Sequence, residues 1–572
     1  MYRSTGFVLL FIILHFQSIA QTANRLDVII DEMMVDPSPQ AGLPNAEFIE
    51  LRNTSAQSFN LNGWRISDGT STATITVNFT LQPDSFVVIC SNNAVTLLSA
   101  LGKTIGVSGF PSLDNDGDLI FLKSKEGVSV HAVEYNSTWY QNPVKSEGGW
   151  TLEMMDIKNP CSGYSNWKAS ADPKGGTPGQ KNSVDGNNAD ATAPALIRAF
   201  VTDSLNITLT FDEPLDSITA SLINNYSISD GIGAPQKATA AGPLFNKVLL
   251  QLSVPLQRNK VYTIIAKNVS DCKGIAVGVK NTARIGISAV AGSFDVVINE
   301  ILFNPKPDGA DYIELYNRGN SIINLKELYI ANRNLTGGIS SLKQLAAEDV
   351  LFFPQDYLVA TENAAMVKQQ YTAKNPDAFA EVSSLPSYPD DKGTVVLLNN
   401  LGEIIDELQY EEKWHFALIS NNEGVSLERI DYNKPSQDKV NWHSAATDAG
   451  YGTPTYRNSQ FKLADVLQGT IAISPEVFSP DNDGFDDFLT IHYQFPEPGY
   501  VCNITIFDAG GRSARYLVRN GLCGLNGYFR WDGLDEKNQK LNMGIYVVLT
   551  EVFNLKGKVK KFKNVVTLAK RL

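Results

Sequence analysis

Val28-Ile29-Ile30-Asp31-Glu32, followed by Asp36-Pro37, Glu47-Phe48-Ile49-Glu50-Leu51 and Asn53, returns later in the chain. The second copy reads Val297-Ile298-Asn299-Glu300, Asn304-Pro305, Asp311-Tyr312-Ile313-Glu314-Leu315 and Asn317. The far ends of the two stretches also agree. Trp150-Thr151-Leu152-Glu153 leads to Gly176-Thr177-Pro178 and Asn182-Ser183, while Val425-Ser426-Leu427-Glu428 leads to Gly452-Thr453-Pro454 and Asn458-Ser459. A unit far longer than a solenoid repeat, present twice, means two homologous domains. Duplication favours binding or scaffolding over a single active site.

Around these copies the chain reads as strand. Ile207, Leu209 and Phe211 alternate with Asn206, Thr208 and Thr210, and Cys502, Ile504 and Ile506 alternate with Asn503 and Thr505. Period-two patterns separated by Gly, Asn, Asp and Pro clusters predict half-buried antiparallel strands. Short helical turns are expected only where this pattern loosens, at Asn93 to Ala100 and Ala364 to Tyr371. Polar, small-residue stretches mark linkers near 182–190, 289–293 and 459–468. The predicted organisation is a signal peptide over 1–20, a first repeat over 21–185, an insert over 191–289, a second repeat over 293–460 and a C-terminal domain over 468–572. The fold class is all-β, a string of immunoglobulin-like β-sandwich domains.

A length of 572 residues fits about four domains of roughly 150 residues each. Arg3, the apolar run Phe7 to Leu14 and Ser18-Ile19-Ala20 before Gln21 form a secretory signal, so export to the cell surface or the medium is expected. The residue directly after that cut is Gln21 and not cysteine, so a lipoprotein anchor is not expected. No later stretch approaches the roughly 20 apolar residues that span a bilayer, so no transmembrane helix is expected in the mature chain. A net charge of −13 argues against nucleic acid as a partner, because phosphate binding draws on clustered Lys and Arg. The basic stretch Lys556 to Lys563 reads as a solvated edge. Five cysteines are too few for a disulfide framework. Cys502 and Cys523 share a predicted domain and can pair, Cys90, Cys161 and Cys272 are scattered, and the odd count leaves at least one thiol free.

The repeated residues resemble the lamin-tail domain as it occurs in exported bacterial proteins. The resemblance lies in the hydrophobic-x-Glu opening, the Glu-Phe-Ile-Glu-Leu-x-Asn strand, Leu61-Asn62-Gly63-Trp64 with Asp68, and the closing Gly-Thr-Pro with Asn-Ser. The second copy keeps Asn324-Leu325 but has Leu328 at the Trp64 position and no matching Asp. The resemblance implies an immunoglobulin-like β-sandwich. The insert is similar to a bacterial Ig-like domain of the surface-layer type, through Leu209-Thr210-Phe211-Asp212-Glu213-Pro214-Leu215, Asn225-Tyr226-Ser227-Ile228 and Asn268-Val269-Ser270-Asp271. The C-terminal part, with Phe478-Ser479-Pro480-Asp481, Gly510-Gly511-Arg512, Trp531-Asp532-Gly533 and Gly544-Ile545-Tyr546, resembles the gliding-motility-associated C-terminal domain. That resemblance implies a sorting tail recognised by the outer-membrane type IX secretion machinery.

Several constellations invite a chemical reading. Asp481, Asp483, Asp486 and Asp487 place hard oxygen ligands around Gly484, a pattern suited to calcium, which accepts six to eight oxygens in loose geometry. The competing reading is an Asp/Asn/Gly turn that satisfies its own backbone. Asp114-Asn115-Asp116-Gly117-Asp118 is a weaker form of the same pattern, since it is also a standard strand entry. Glu32 with Glu50, and Glu300 with Glu314, resemble paired carboxylates for acid/base work. Their recurrence within the family's strand pattern points instead to structural roles. His131, His415, His443 and His492 show no metal-ligand spacing, and no nucleophile elbow or phosphate loop occurs. Trp64, Trp139, Tyr140, Trp150 and Trp167 offer either a recognition face or core packing. The expectation is a non-catalytic surface or secreted protein that binds or scaffolds an unknown protein or polysaccharide ligand. The alternative is a secreted hydrolase, or an accessory subunit of one, acting on nucleic acid or glycan.

Overall fold

The computed structural model describes residues 22–462 and 469–570. The predicted signal peptide over 1–20 and most of the predicted linker before 468 lie outside the described residues. The chain is nearly all β, as its period-two patterns require. No helix among the described residues is long and apolar enough to cross a membrane. Two compact units form. One runs to Pro255 and resumes over Tyr262–Arg284, and the other comprises Leu256–Val261 and the chain from Ile285 onward.

In the first unit a six-stranded sheet has the order Trp167–Ala169, Leu152–Met154, Val28–Met34, Phe48–Asn53, Phe86–Ser91 and Thr104–Val107. A four-stranded sheet of Ser129–Asn136, Gly117–Lys123, Arg65–Ser67 and Thr72–Thr74 faces it across the main core of Ile30, Leu51, Trp64, Leu122 and their neighbours. The outer face of the larger sheet is covered as well. Met34, Phe48, Val88 and Cys90 pack beneath Leu98 of the short helix Val95–Leu98. Burial on both faces explains why every residue of Val28–Met34 is buried and why apolar residues flank Asp31-Glu32 on both sides without alternating. The insert adds a four-stranded sheet, Leu196–Asp203, Asn206–Phe211, Lys247–Gln251 and Lys237–Ala241, and a three-stranded one, Tyr226–Ile228, Tyr262–Ala266 and Thr282–Ile285.

The second unit repeats the plan. Its six-stranded sheet runs Phe379–Glu381, Tyr357–Thr361, Tyr312–Asn317, Val296–Leu302, Leu427–Arg429 and Trp442–Ser444, opposite Ile339–Gln344, Leu328–Arg333, Lys392–Asn399 and Ile404–Glu411. The predicted helical turn forms over Ala364–Gln370, where the Asn363 side chain accepts the Met366 N–H as N-cap. It covers the outer face with Val367 against Leu302, Tyr312 and Val359. The C-terminal domain pairs a three-stranded sheet, Thr470–Ser474, Leu489–Gln494 and Asn526–Trp531, with a five-stranded one built around Tyr500–Asp508, Gly544–Asn554 and Val559–Leu568.

The cysteines depart from expectation. Cys161 bonds to Cys272, joining the first repeat to the insert, although the two lie 111 residues apart. Cys502 and Cys523, the pair suggested by proximity in sequence, are free and buried, as is Cys90. Cys502 sits opposite Gly521 in the strand register, and Cys523 falls beyond that partner with its thiol directed to the Gly521 carbonyl at 3.7 Å. Both act as small apolar residues in the C-terminal core.

Candidate functional site

The glutamates that recur in both copies are gathered by strand register. Glu32 lies opposite Glu50 on one side and Glu153 on the other. Glu300 lies opposite Glu314 and Glu428 in the same way. In both copies the ladder shifts register just before the first glutamate, between Ile30 and Glu32 and between Ile298 and Glu300. This β-bulge leaves Asp31 and Asn299 unpaired at the equivalent position.

Each cluster is closed by the motif that ends its repeat. The Thr177 N–H donates to Glu32 Oε1 at 2.7 Å, the Thr177 hydroxyl to Glu153 at 2.9 Å, the Gly179 N–H to Glu50, and the Ser183 hydroxyl to Glu153 at 2.7 Å. In the second copy the Thr453 N–H donates to Glu300 at 2.9 Å, its hydroxyl to Glu428 at 2.8 Å, the Thr455 N–H to Glu314, and the Ser459 hydroxyl to Glu428 at 2.7 Å. Asn182 and Asn458 then clamp the bulge by donating to the carbonyls of Asp31 and Asn299, at 3.0 and 2.9 Å. The glycine that opens each closing motif is dictated by contact. A Cβ on Gly176 would stand 2.6 Å from Glu32 Oε1, and one on Gly452 would stand 2.7 Å from the Tyr371 ring.

All six glutamates are 0% exposed. Burial pushes Glu32 and Glu428 up to about 8, with the neighbouring glutamate charge adding to the rise. Burial first, then the adjacent carboxylate, holds Glu50 and Glu314 well above the usual carboxylate range. The clusters therefore retain protons at neutral pH, because like charges in a dry site do not all ionise. Perturbed carboxyls of this kind often mark active sites, but here the closing straps seal them and no substrate reaches them. Their chemistry is that of an internal hydrogen-bonded lock.

The aromatic residues resolve the same way. Trp64, Trp139, Tyr140 and Trp167 are buried at 7% exposure or less and belong to the first core, with Trp139 and Trp167 centroids 6.1 Å apart. Trp150 is half-buried and lies under the Lys145 ammonium at 4.1 Å. A surface platform from these five rings is thereby ruled out, because the sandwich uses them for volume. His131, His415 and His443 are packed as well, and burial lowers each to about 4.

The acidic loop of the C-terminal domain brings part of its predicted set together. Asp481, Asp483 and Asp487 each offer an oxygen within 4.8 Å of the others, whereas Asp486 is outside this group. Their oxygens are engaged by the loop's own backbone. Asp487 accepts the Asn482 and Gly484 N–H groups at 2.6 and 2.9 Å, Asp481 accepts that of Asp483 at 3.2 Å, and Asp483 accepts that of Phe485 at 2.9 Å. The weaker candidate around Asp114 forms a strand entry in which the Gly117 N–H donates to the Asp114 carbonyl at 3.1 Å. Among the described residues a second acidic group assembles whose members no local pattern connects: Asp190, Glu213 and Asp271.

The family model of the lamin tail domain matches residues 21–137 and 289–412. No curated protein matches the chain. Among solved structures, the N-terminal part of the bacterial S-layer protein SbsC is similar at 19% identity over 29% of this chain and 45% of that one, with a TM-score of 0.16. A DUF4876 family protein from Bacteroides thetaiotaomicron is similar at 10% identity over 42% of this chain and 96% of that one, with a TM-score of 0.20. A Ca2+-stabilised ice-binding adhesin of an Antarctic bacterium is similar at 10% identity over 96% and 100%, with a TM-score of 0.12. The chain spans about half the length of the S-layer structures that it matches. TM-scores this low carry no argument, so function rests on the family match and on the geometry.

Proposed function

We propose that this chain is an exported, non-catalytic surface or secreted protein that presents two lamin-tail modules to a protein or polysaccharide ligand. The observation that carries this reading is the sealing of both glutamate clusters. The residues most suggestive of acid/base chemistry are 0% exposed and tied by the closing strap of each module. What remains outward is a duplicated scaffold. Export is supported by the signal-like sequence before Gln21 and by the Cys161–Cys272 bond, since disulfides persist in oxidising compartments. The C-terminal domain serves in this reading as the sorting tail that the type IX machinery recognises, through the Phe478-Ser479-Pro480-Asp481 and Trp531-Asp532-Gly533 resemblance.

Surface labelling of intact cells, with mass spectrometry of both mature termini, tests the proposal. A mature start at Gln21, surface exposure and a removed or modified C-terminal domain are expected. A periplasmic protein that keeps Leu572 would overturn the sorting role and return the hydrolase-accessory reading to first place.

A further inference from the structure

Asp190, Glu213 and Asp271 come from three separate stretches of the first unit, and one carboxylate oxygen of each lies within 4.8 Å of the others. Asp190 belongs to the segment that leaves the first repeat. Glu213 follows the strand Asn206–Phe211, and Asp271 follows Tyr262–Ala266. Two of the oxygens have no hydrogen-bond donor. Asp271 is 1% exposed; its Oδ1 accepts the Lys273 and Ile275 N–H groups at 2.7 and 2.9 Å, while the buried Oδ2 accepts none. Glu213 Oε1 is likewise buried and unpartnered. Asp190 is oriented by the Thr192 N–H at 2.9 Å and the Ser162 hydroxyl at 3.1 Å. A buried carboxylate without a donor costs several kcal/mol of desolvation that hydrogen bonds normally offset. Three acids thus converge within 4.8 Å, two with idle oxygens, an arrangement that a cation would satisfy.

From this geometry we infer that Asp190, Glu213 and Asp271 bind a calcium ion that fastens the insert to the first repeat. The donor set is hard oxygen throughout, which selects calcium over softer metals. Asp190 and Glu213 also line a cavity of about 460 Å³, which gives room for the waters that complete a calcium shell. The charged groups facing Glu213 are Asp190, Asp271 and Asp212, all acidic. The position within the unit gives the site its role. Ser162, which holds Asp190, is adjacent to Cys161, and Asp271 is adjacent to Cys272, so ion and disulfide pin the same joint.

The full chain, stripped with EDTA, should be titrated with CaCl2 by calorimetry and melted with and without the ion. Terbium luminescence excited through tryptophan gives a local readout, because Trp139 lines the same cavity. Asp190→Asn and Glu213→Gln should each weaken calcium binding ten-fold or more, abolish the sensitised terbium signal and remove the calcium-dependent rise in melting temperature. The Asp481→Asn, Asp483→Asn double variant should leave all three unchanged. Asp190→Asn keeps a carbonyl acceptor for the Thr192 N–H and turns its amide toward the Ser162 hydroxyl oxygen as a donor, so it decides the question even if Glu213→Gln fails to fold. A wild-type chain indifferent to millimolar calcium would overturn the inference. So would a calcium response that survives Asp190→Asn or disappears in the Asp481, Asp483 variant.

Discussion

His131 accepts the Ile30 N–H through Nδ1 at 3.0 Å, and the equivalent Ile298 N–H of the second repeat is accepted by Asp406 at 2.8 Å. The same bulge donor is thus satisfied by two chemistries. In the second copy Asp406 is paired with the fully buried Arg429 at 3.1 Å; in the first, burial lowers His131 to about 4 and keeps it a neutral acceptor. His131→Leu strands a buried N–H and should cost about 1–3 kcal/mol. His131→Asn, which restores an acceptor, should recover part of that. Urea unfolding of the full chain, followed at the first unit's tryptophans, checks both; unchanged stability in His131→Leu would refute the assignment.

Asp31 and Asn299 occupy the same bulge position with unequal fit. Asn299 donates to Glu314 Oε1 and to Asn458 Oδ1, both at 2.7 Å. In the first copy Glu50 Oε1 and Asn182 Oδ1 have no donor, and neither carboxylate oxygen of Asp31 accepts a hydrogen bond. Asp31→Asn supplies the missing amide. It should raise the stability of the first repeat at pH 8 by about 1 kcal/mol, the scale of one net hydrogen bond. A lowered melting temperature would show that the ion pair of Asp31 with Arg52, at 3.8 Å, matters more.

Stability should fall as pH rises through neutrality. Burial raises Asp31 and Asp311 to about 7 and Glu32, Glu213 and Glu428 to about 8. A carboxyl raised on folding stabilises fully below its unfolded value and loses that contribution as pH passes its folded value. His131, His415 and His443 act oppositely, because their lowered values favour folding above about 6.5 and lose it toward 4. From about pH 6.5 to 8.5 the carboxyls outweigh the histidines, so melting temperature in EDTA should decline, more steeply near 7 and flattening as pH passes the folded values near 8. A flat or rising profile would contradict proton retention in the clusters.

The thiol count separates the Cys161–Cys272 bond from the Cys502–Cys523 pairing suggested by the sequence. Alkylation of the unfolded, unreduced chain should modify Cys90, Cys502 and Cys523 and spare Cys161 and Cys272. Cys161→Ser with Cys272→Ser should lower stability by about 2–5 kcal/mol, given the length of chain that the bond closes. Protection of Cys502 and Cys523 would refute the assignment.

Removing a strap contact should act on folding alone. Glu314→Ala leaves the Thr455 N–H without its acceptor, removes one of the two acceptors of the Asn299 amide and should cost about 2–4 kcal/mol. Ligand capture by whatever fraction remains folded should be unchanged, as read by surface plasmon resonance corrected for active concentration. Lost binding at full stability would instead make this cluster functional.

The sequence by itself determined the β class, the duplication and the identity of the recurring acids. These are written in short-range signals: period-two alternation, Gly and Asn punctuation, and repeated words such as Gly-Thr-Pro. It also set Gly176 and Gly452, whose lack of a side chain admits the strap. Only the tertiary structure decided what those acids do. Glu32 meets Thr177 and Gly179 meets Glu50 after separations of 145 and 129 residues, and Cys161 reaches Cys272 across 111. The calcium cluster likewise draws on residues 190, 213 and 271. No local pattern encodes such meetings, because partners that far apart are chosen by how whole sheets pack. The same packing buried Trp64, Trp139 and Trp167, which as residue types served equally well for a surface.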